Sequence, residues 1–196
     1  MQKDNHYEEL YDRMIKTAAC RFAANDRLKT HHNASLWTIT FFSMGLIAIP
    51  LIQTFGIETN FSSNYISFIQ VVLAIVILVI SVLLNMASFS VRAEKMHQCA
   101  LLVNSLARKT QRHVNEQSDS GVYEELIKEY DNILQRFDNH SRVDYLYAKK
   151  HLSSHYQNPW YFPLTARLQY LYQFLPYIAL LSIEVIWVFM LVSNRA

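Results

Sequence analysis

The run YISFIQVVLAIVILVISVLL, residues Tyr65–Leu84, holds no charged side chain. A helix rises ~1.5 Å per residue, so these residues cover the ~30 Å hydrocarbon core of a bilayer. Two more windows share this character. Leu36–Phe55 carries no charge, and Leu175–Val192 carries one acid, Glu184. Charged residues make up 17% of the 196, below the ~25% usual for soluble chains, and they crowd outside these windows. Helices buried in a soluble protein would show polar stripes at closer intervals. The sequence therefore predicts an all-α membrane protein: a transmembrane helical hairpin plus a third, C-terminal span, with long cytoplasmic helices.

Working outward from Tyr65–Leu84, the expected order is a cytoplasmic amphipathic helix at 1–33, a first transmembrane helix at 34–56 and a short outer loop at 57–64. The second transmembrane helix follows at 65–86, then a cytoplasmic helical region at 87–163 continuing from it. An interfacial helix at 164–174 and a third transmembrane helix at 175–193 complete the chain. Tyr7, Leu10, Tyr11, Met14, Ala18 and Phe22 recur at three- and four-residue steps, the pattern of a helix face. No Gly or Pro separates that segment from the first span, so it runs straight in; Pro50 should kink the span late. The first span starts after a polar segment and no small-x-small site follows it, so it is not expected to be a cleaved signal peptide.

Lys and Arg set the expected orientation. Lys3, Arg13, Lys16, Arg21, Arg27 and Lys29 precede the first span, eleven more lie in Asn85–Phe174, the loop 56–64 has none, and the tail has only Arg195. The N-terminus and the long segment are thus expected in the cytoplasm, and the short loop and the C-terminus outside. Cys20 and Cys99 then fall on the reducing side, as thiols rather than a disulfide. A formal net charge of +2 gives no argument for nucleic-acid binding.

No Gly lies between Gly56 and Gly121 and no Pro between Pro50 and Pro159. Tyr65–Gln117 is therefore expected as one continuous helix of ~80 Å. Ser67, Gln70, Ala74, Ser81, Asn85 and Ser88 fall in one narrow sector of it, interrupted only by Leu78, and Arg92 continues the line. Lipid offers an amide no partner, so this line must meet protein or water. It is either a packing face or, repeated in several subunits, the lining of an aqueous path. Lower down, Met86, Phe89, Ala93, Met96, Ala100, Val103 and Ala107 alternate three- and four-residue steps, a heptad seam for a partner in the same chain or another subunit. Three helices cannot enclose a wide pore alone, so a path implies a homo-oligomer. Glu184 has no Lys or Arg within a span to pair with, and an ionised acid there costs ~2.5–3.5 kcal/mol. It is expected either to clamp the third span to Gln70, Ser81 or Asn85, or to face the path.

An enzyme is not expected. No GxSxG, P-loop or GxGxxG occurs, and three glycines leave little material for a phosphate loop. His151 and His155 are four apart, but no acidic third ligand stands at a useful spacing. No catalytic residue, metal or cofactor is predicted.

CRFAANDRLKTHHNASLWTIT (Cys20–Thr40) and SFSVRAEKMHQCALLVNSLARK (Ser88–Lys109) resemble the SLATT family, two-span effector proteins associated with nucleotide- and phage-sensing conflict systems in prokaryotes. The resemblance covers Arg21–Arg112 and extends to DNHSRVDY (Asp138–Tyr145), an element like that of the subfamily encoded beside reverse transcriptases. It implies a protein that forms a pore or otherwise breaches the membrane once a partner detects infection. The implied partner is a nucleotide synthase with its receptor domain, or a reverse transcriptase. A third span after Pro176 departs from the two-span pattern. Two rival readings remain: a membrane-anchored scaffold or receptor whose cytoplasmic helices bind a partner, and a small channel or transporter subunit using Glu184.

Overall fold

The computed structural model describes residues 6–56, 59, 61–114, 120–152 and 159–193. These form helices α1 (His6–Thr54), α2 (Ser63–Ala87), α3 (Phe89–Val114), α4 (Ser120–Gln135), α5 (Arg142–His151), α6 (Phe162–Tyr172) and α7 (Leu175–Val192), with no strand among the described residues. His155, paired with His151 in the sequence reading, and residues 115–119 lie outside them.

α1 is unbroken over 49 residues and carries the N-terminal polar segment into the first apolar window. Pro50 sits inside it, and the helix continues to Thr54, whose hydroxyl donates to the Pro50 carbonyl at 2.8 Å. Gly56 closes the helix with φ +64, the left-handed conformation that a residue without Cβ adopts freely, and its N–H reaches the Gln53 carbonyl at 3.2 Å. α2 opens on Ser62, whose side chain accepts from the Tyr65 N–H, satisfying one of the free donors of the first turn.

The continuous helix expected over Tyr65–Gln117 is interrupted. Ser88, at φ 47 and ψ 41, separates α2 from α3. The run Ser63–Val114 still contains an apolar stretch long enough to cross a membrane, as does α1; α6 and α7 give a third crossing when taken as one broken span.

The chain divides into two compact units. The helical unit joins Met1–Lys29 to Ser90–Leu171. Its core is built from Leu10, Met14 and Ala18 of α1, Cys99, Val103, Leu106 and Ala107 of α3, and Leu126, Tyr130 and Ile133 of α4. Every one is a face residue at helical spacing, so three amphipathic stripes meet along a common line. α5 closes on α1 through Cys20, Ala23 and Ala148.

Of the two readings of the heptad seam, this packing fits a partner in the same chain. Ala93, Met96, Ala100, Val103 and Ala107 are at most 2% exposed within a single chain. A seam already filled by its own α1 and α4 has no apolar surface left for another subunit. Only Met86, above the break, stays open, and Phe89 is half-buried.

The membrane unit joins Thr30–Phe89 to Tyr172–Ala196. At one end Ile49, Ile66 and Leu191 form its buried cluster, with Trp187 and Phe61 packed against it. Toward the other, Thr38, Ile80, Leu84, Pro176, Tyr177 and Leu180 line a half-open apolar pocket of about 250 Å³. His31 is 8% exposed and lies between two rings: Phe174 at 4.4 Å and Phe89 at 5.3 Å between centroids, both nearly parallel to it. Tyr177 Oη lies 3.3 Å from its Nδ1 and Gln173 Oε1 3.4 Å from its Nε2.

Candidate functional site: the polar line of the second span and a clamped loop

Hydroxyls inside apolar windows satisfy themselves locally. Ser81 donates to the Ile77 carbonyl at 2.7 Å, Ser88 to Asn85 at 3.1 Å, Thr38 to Ala34 at 2.8 Å and Ser182 to Ile178 at 2.8 Å. These bonds return the donor to its own helix and ask nothing of a neighbour. The amides are different. Gln70 and Asn85 carry donors and acceptors that their own helix cannot take up, and an amide in hydrocarbon is costly. Of the line, Ser67, Ala74, Asn85, Ser88 and Arg92 are exposed, and Gln70 and Ser81 are half-buried. Leu78, in the same sector, is 65% exposed. The unit's own packing instead uses Ile66, with Leu73 beside it. The polar line is thus largely left open by the three helices of its own chain.

Glu184 takes a place the sequence did not foresee. Its carboxyl lies directly against Gly45 of α1, where a Cβ would overlap Oε1. The glycine is what makes room for it. The expected clamp to Gln70, Ser81 or Asn85 is not formed: none of these residues bonds the Glu184 carboxyl.

A second polar assembly lies in the helical unit. Arg21 is 3% exposed. Its guanidinium donates to the Asp138 carbonyl, lies 3.5 Å from Asn139 Oδ1 and touches Met96 Sδ. Two turns further along α1, Arg27 holds Asp144 through both nitrogens, at 2.7 and 3.1 Å. Asp144 is 1% exposed and is also the reciprocal member of a capping box: Ser141 N–H and Oγ each donate to its Oδ2 at 2.8 Å, while its own N–H points back at Ser141 Oγ. The two segments that carry the family resemblance, CRFAANDR and DNHSRVDY, therefore meet. A buried bidentate pair resists removal of either partner by ~3–5 kcal/mol. Arg21 Nε, Asn25 Oδ1, His97 Nδ1 and His140 Nδ1 are buried without a hydrogen-bond partner, all in this same unit.

Burial, followed by the Asp144 carboxylate and offset by Arg21, pushes the Cys20 thiol up to about 11; burial also raises Cys99. Both thiols are protonated and enclosed, which suits packing and not nucleophilic or metal chemistry. Among the described residues no three His, Cys, Asp or Glu side chains gather as a metal group would require.

An apolar hairpin of α1 and α2 with a long α3 beyond it is the order the SLATT resemblance implied. A family description, the SMODS and SLOG-associating 2TM effector domain family 5, matches residues 3–193. The chain belongs to this family. It is thereby a membrane effector domain of the SLATT type. The SLATT match runs to residue 193, so α7 lies inside the family pattern and not beyond it as the sequence alone suggested. Comparison with curated proteins and with solved structures finds no match.

Sequence reasoning marked the polar line and Glu184, but not Arg21, Arg27, Asp144 or His31. One signal was present: Ser141-x-x-Asp144 has the spacing of a capping box. Nothing in the sequence paired it with an arginine 117 positions away.

Proposed function

We propose that this SLATT chain is a pore-forming or membrane-breaching effector of a prokaryotic antiviral system, acting by abortive infection. It would work as a homo-oligomer in the inner membrane, with its N-terminus in the cytoplasm and its C-terminus outside. Infection would be reported by a partner, a reverse transcriptase or a nucleotide-signalling protein, acting on the helical unit. The observation that carries this reading is the polar line of α2, whose amides and serines its own unit leaves largely uncovered. Several copies turning that line toward a shared axis would give these groups each other and water. With the seam buried in one chain, assembly would use the membrane faces instead. The reading assigns no catalytic step.

Induced expression with a voltage-sensitive dye tests it. The wild-type chain should depolarise cells, and the variant with Gln70→Leu and Asn85→Leu should not. Equal depolarisation by both removes the pore.

A membrane-anchored scaffold is favoured by a different observation: the helical unit has a core of its own. Exchanging the apolar windows for unrelated apolar helices would keep a scaffold working and would abolish a pore.

A further inference from the structure

Nothing in the sequence asks for a break at Ser88. The nearest Gly and Pro are far away, and MASFSV contains no helix breaker. Yet Ser88 adopts φ 47 and ψ 41, and it is the residue other than glycine with positive φ among those described. A left-handed conformation crowds Cβ against the following carbonyl, which disfavours it about tenfold or more in population for a residue with a side chain. Two local bonds soften the cost: Ser88 N–H and Ser88 Oγ each reach the Asn85 carbonyl at 3.1 Å. They do not select the break, because an ordinary helix would offer comparable bonds.

The next residue makes a contact that depends on the break. Phe89 stacks on His31 of α1 at 5.3 Å, and Phe174, which precedes α7, stacks on the same imidazole at 4.4 Å. Tyr177 and Gln173 fix the ring from its two nitrogens. Carrying α2 on without a break would rotate φ and ψ of Ser88 by roughly 100° each and remove Phe89 from this stack. Three residues before the hinge sits Asn85, the last amide of the polar line.

We propose that Ser88 is a strained hinge, held left-handed by the Phe89–His31–Phe174 stack, and that its return to the right-handed helix is the conformational step by which the polar line of α2 is activated. This deepens the pore reading and rests on it for the final clause only. The hinge is a two-state element: one state has the stack and a strained serine, the other a relaxed continuous helix and an open stack.

Two substitutions at one position push it in opposite directions and leave the stack untouched. Ser88→Gly removes the crowding Cβ and weakens the helix, favouring the break; Ser88→Ala loses the Asn85 bond and favours the helix. Hydrogen–deuterium exchange of residues 85–93, in the full chain reconstituted in vesicles, reads the break itself, because N–H groups just past a break lack partners four residues back. Exchange in this segment should be about tenfold or more slower in Ser88→Ala than in Ser88→Gly. In cells, Ser88→Ala should depolarise more than wild type and Ser88→Gly less. His31→Ala, which removes the stack's centre, should exchange and depolarise like Ser88→Ala. Equal exchange in the glycine and alanine variants overturns the hinge whatever the dye reports. The predicted order of exchange with no depolarisation by any variant upholds the hinge and removes the pore reading. Wild-type exchange in His31→Ala overturns the stack as its holder.

Discussion

Asp144 concentrates four donors on one carboxylate: two from Arg27 and two from Ser141. Replacing it with alanine strands a guanidinium that is only 14% exposed and uncaps α5 in the same stroke. Asp144→Ala should therefore lower the unfolding free energy by ~3–5 kcal/mol, measured by urea denaturation of the full chain followed by helical circular dichroism. A loss no larger than that of an exposed pair such as Lys109–Glu129, ~0–1 kcal/mol, would show that Arg27 finds other partners. His140 gives the same unit a pH dependence. Burial, and next the Arg21 guanidinium, hold its imidazole below the usual 6.5, against a smaller upward pull from Asp144. The unfolded chain then takes the proton first. Stability is complete above the unfolded value and falls as the pH drops through 6.5 toward the folded one. The melting temperature should decline between about pH 7 and about pH 5, and His140→Gln should flatten that decline; an unchanged slope assigns it to other groups. None of these partnerships was legible beforehand. The residue types were visible, but Arg27 and Asp144 meet across 117 positions, and no local pattern encodes which loop a buried arginine will hold.

The apolar windows were readable because hydropathy is a sum over many residues and needs no knowledge of partners. The heptad seam was readable only in part. Its period says that one face of α3 is covered, and it cannot say whether the cover is α1 and α4 or another subunit. The Ser88 break was not readable at all, since the residues that hold it, His31 and Phe174, lie far away in sequence. α6 falls between these cases. Its exposed side carries Tyr161, Leu164, Leu168 and Leu171 at helical spacing, each at least 50% exposed, with Trp160 just before it at 90%. Its other side is held by α5: Tyr170 stacks on Tyr147, and Lys149 lies over the Phe162 ring. Such a stripe, continuous in sequence with apolar α7, fits a helix lying in the membrane interface. Trp160 then reports its depth. With Trp37→Phe and Trp187→Phe in place, its emission should be blue-shifted and quenched by lipids brominated high in the acyl chain. Free quenching by aqueous iodide, with no effect of the brominated lipids, would place α6 in water.

The molecule separates two kinds of surface. The helical unit buries the α3 seam in its own core, so the seam is closed at the level of one chain. The membrane unit keeps most of its large apolar side chains outward, as lipid permits, and keeps a polar line there as well, which lipid does not. If copies of this chain associate, the open polar face of α2 offers more free energy than the buried seam of α3. The chain carries its own control for this inference, because Cys99 lies beside the seam, in the same core, at 0% exposure and Cys20 is 4% exposed. Copper–phenanthroline oxidation of membranes holding the native chain should give no disulfide-linked dimer. Adding one cysteine on the polar line, Leu78→Cys at a position 65% exposed, should give dimers in abundance. Dimers in the native chain would mean that α3 opens to a neighbour and that the seam is shared after all. Absence of dimers from Leu78→Cys, in cells the same variant still depolarises, would place the path on another face of the spans and return the line of α2 to a packing role.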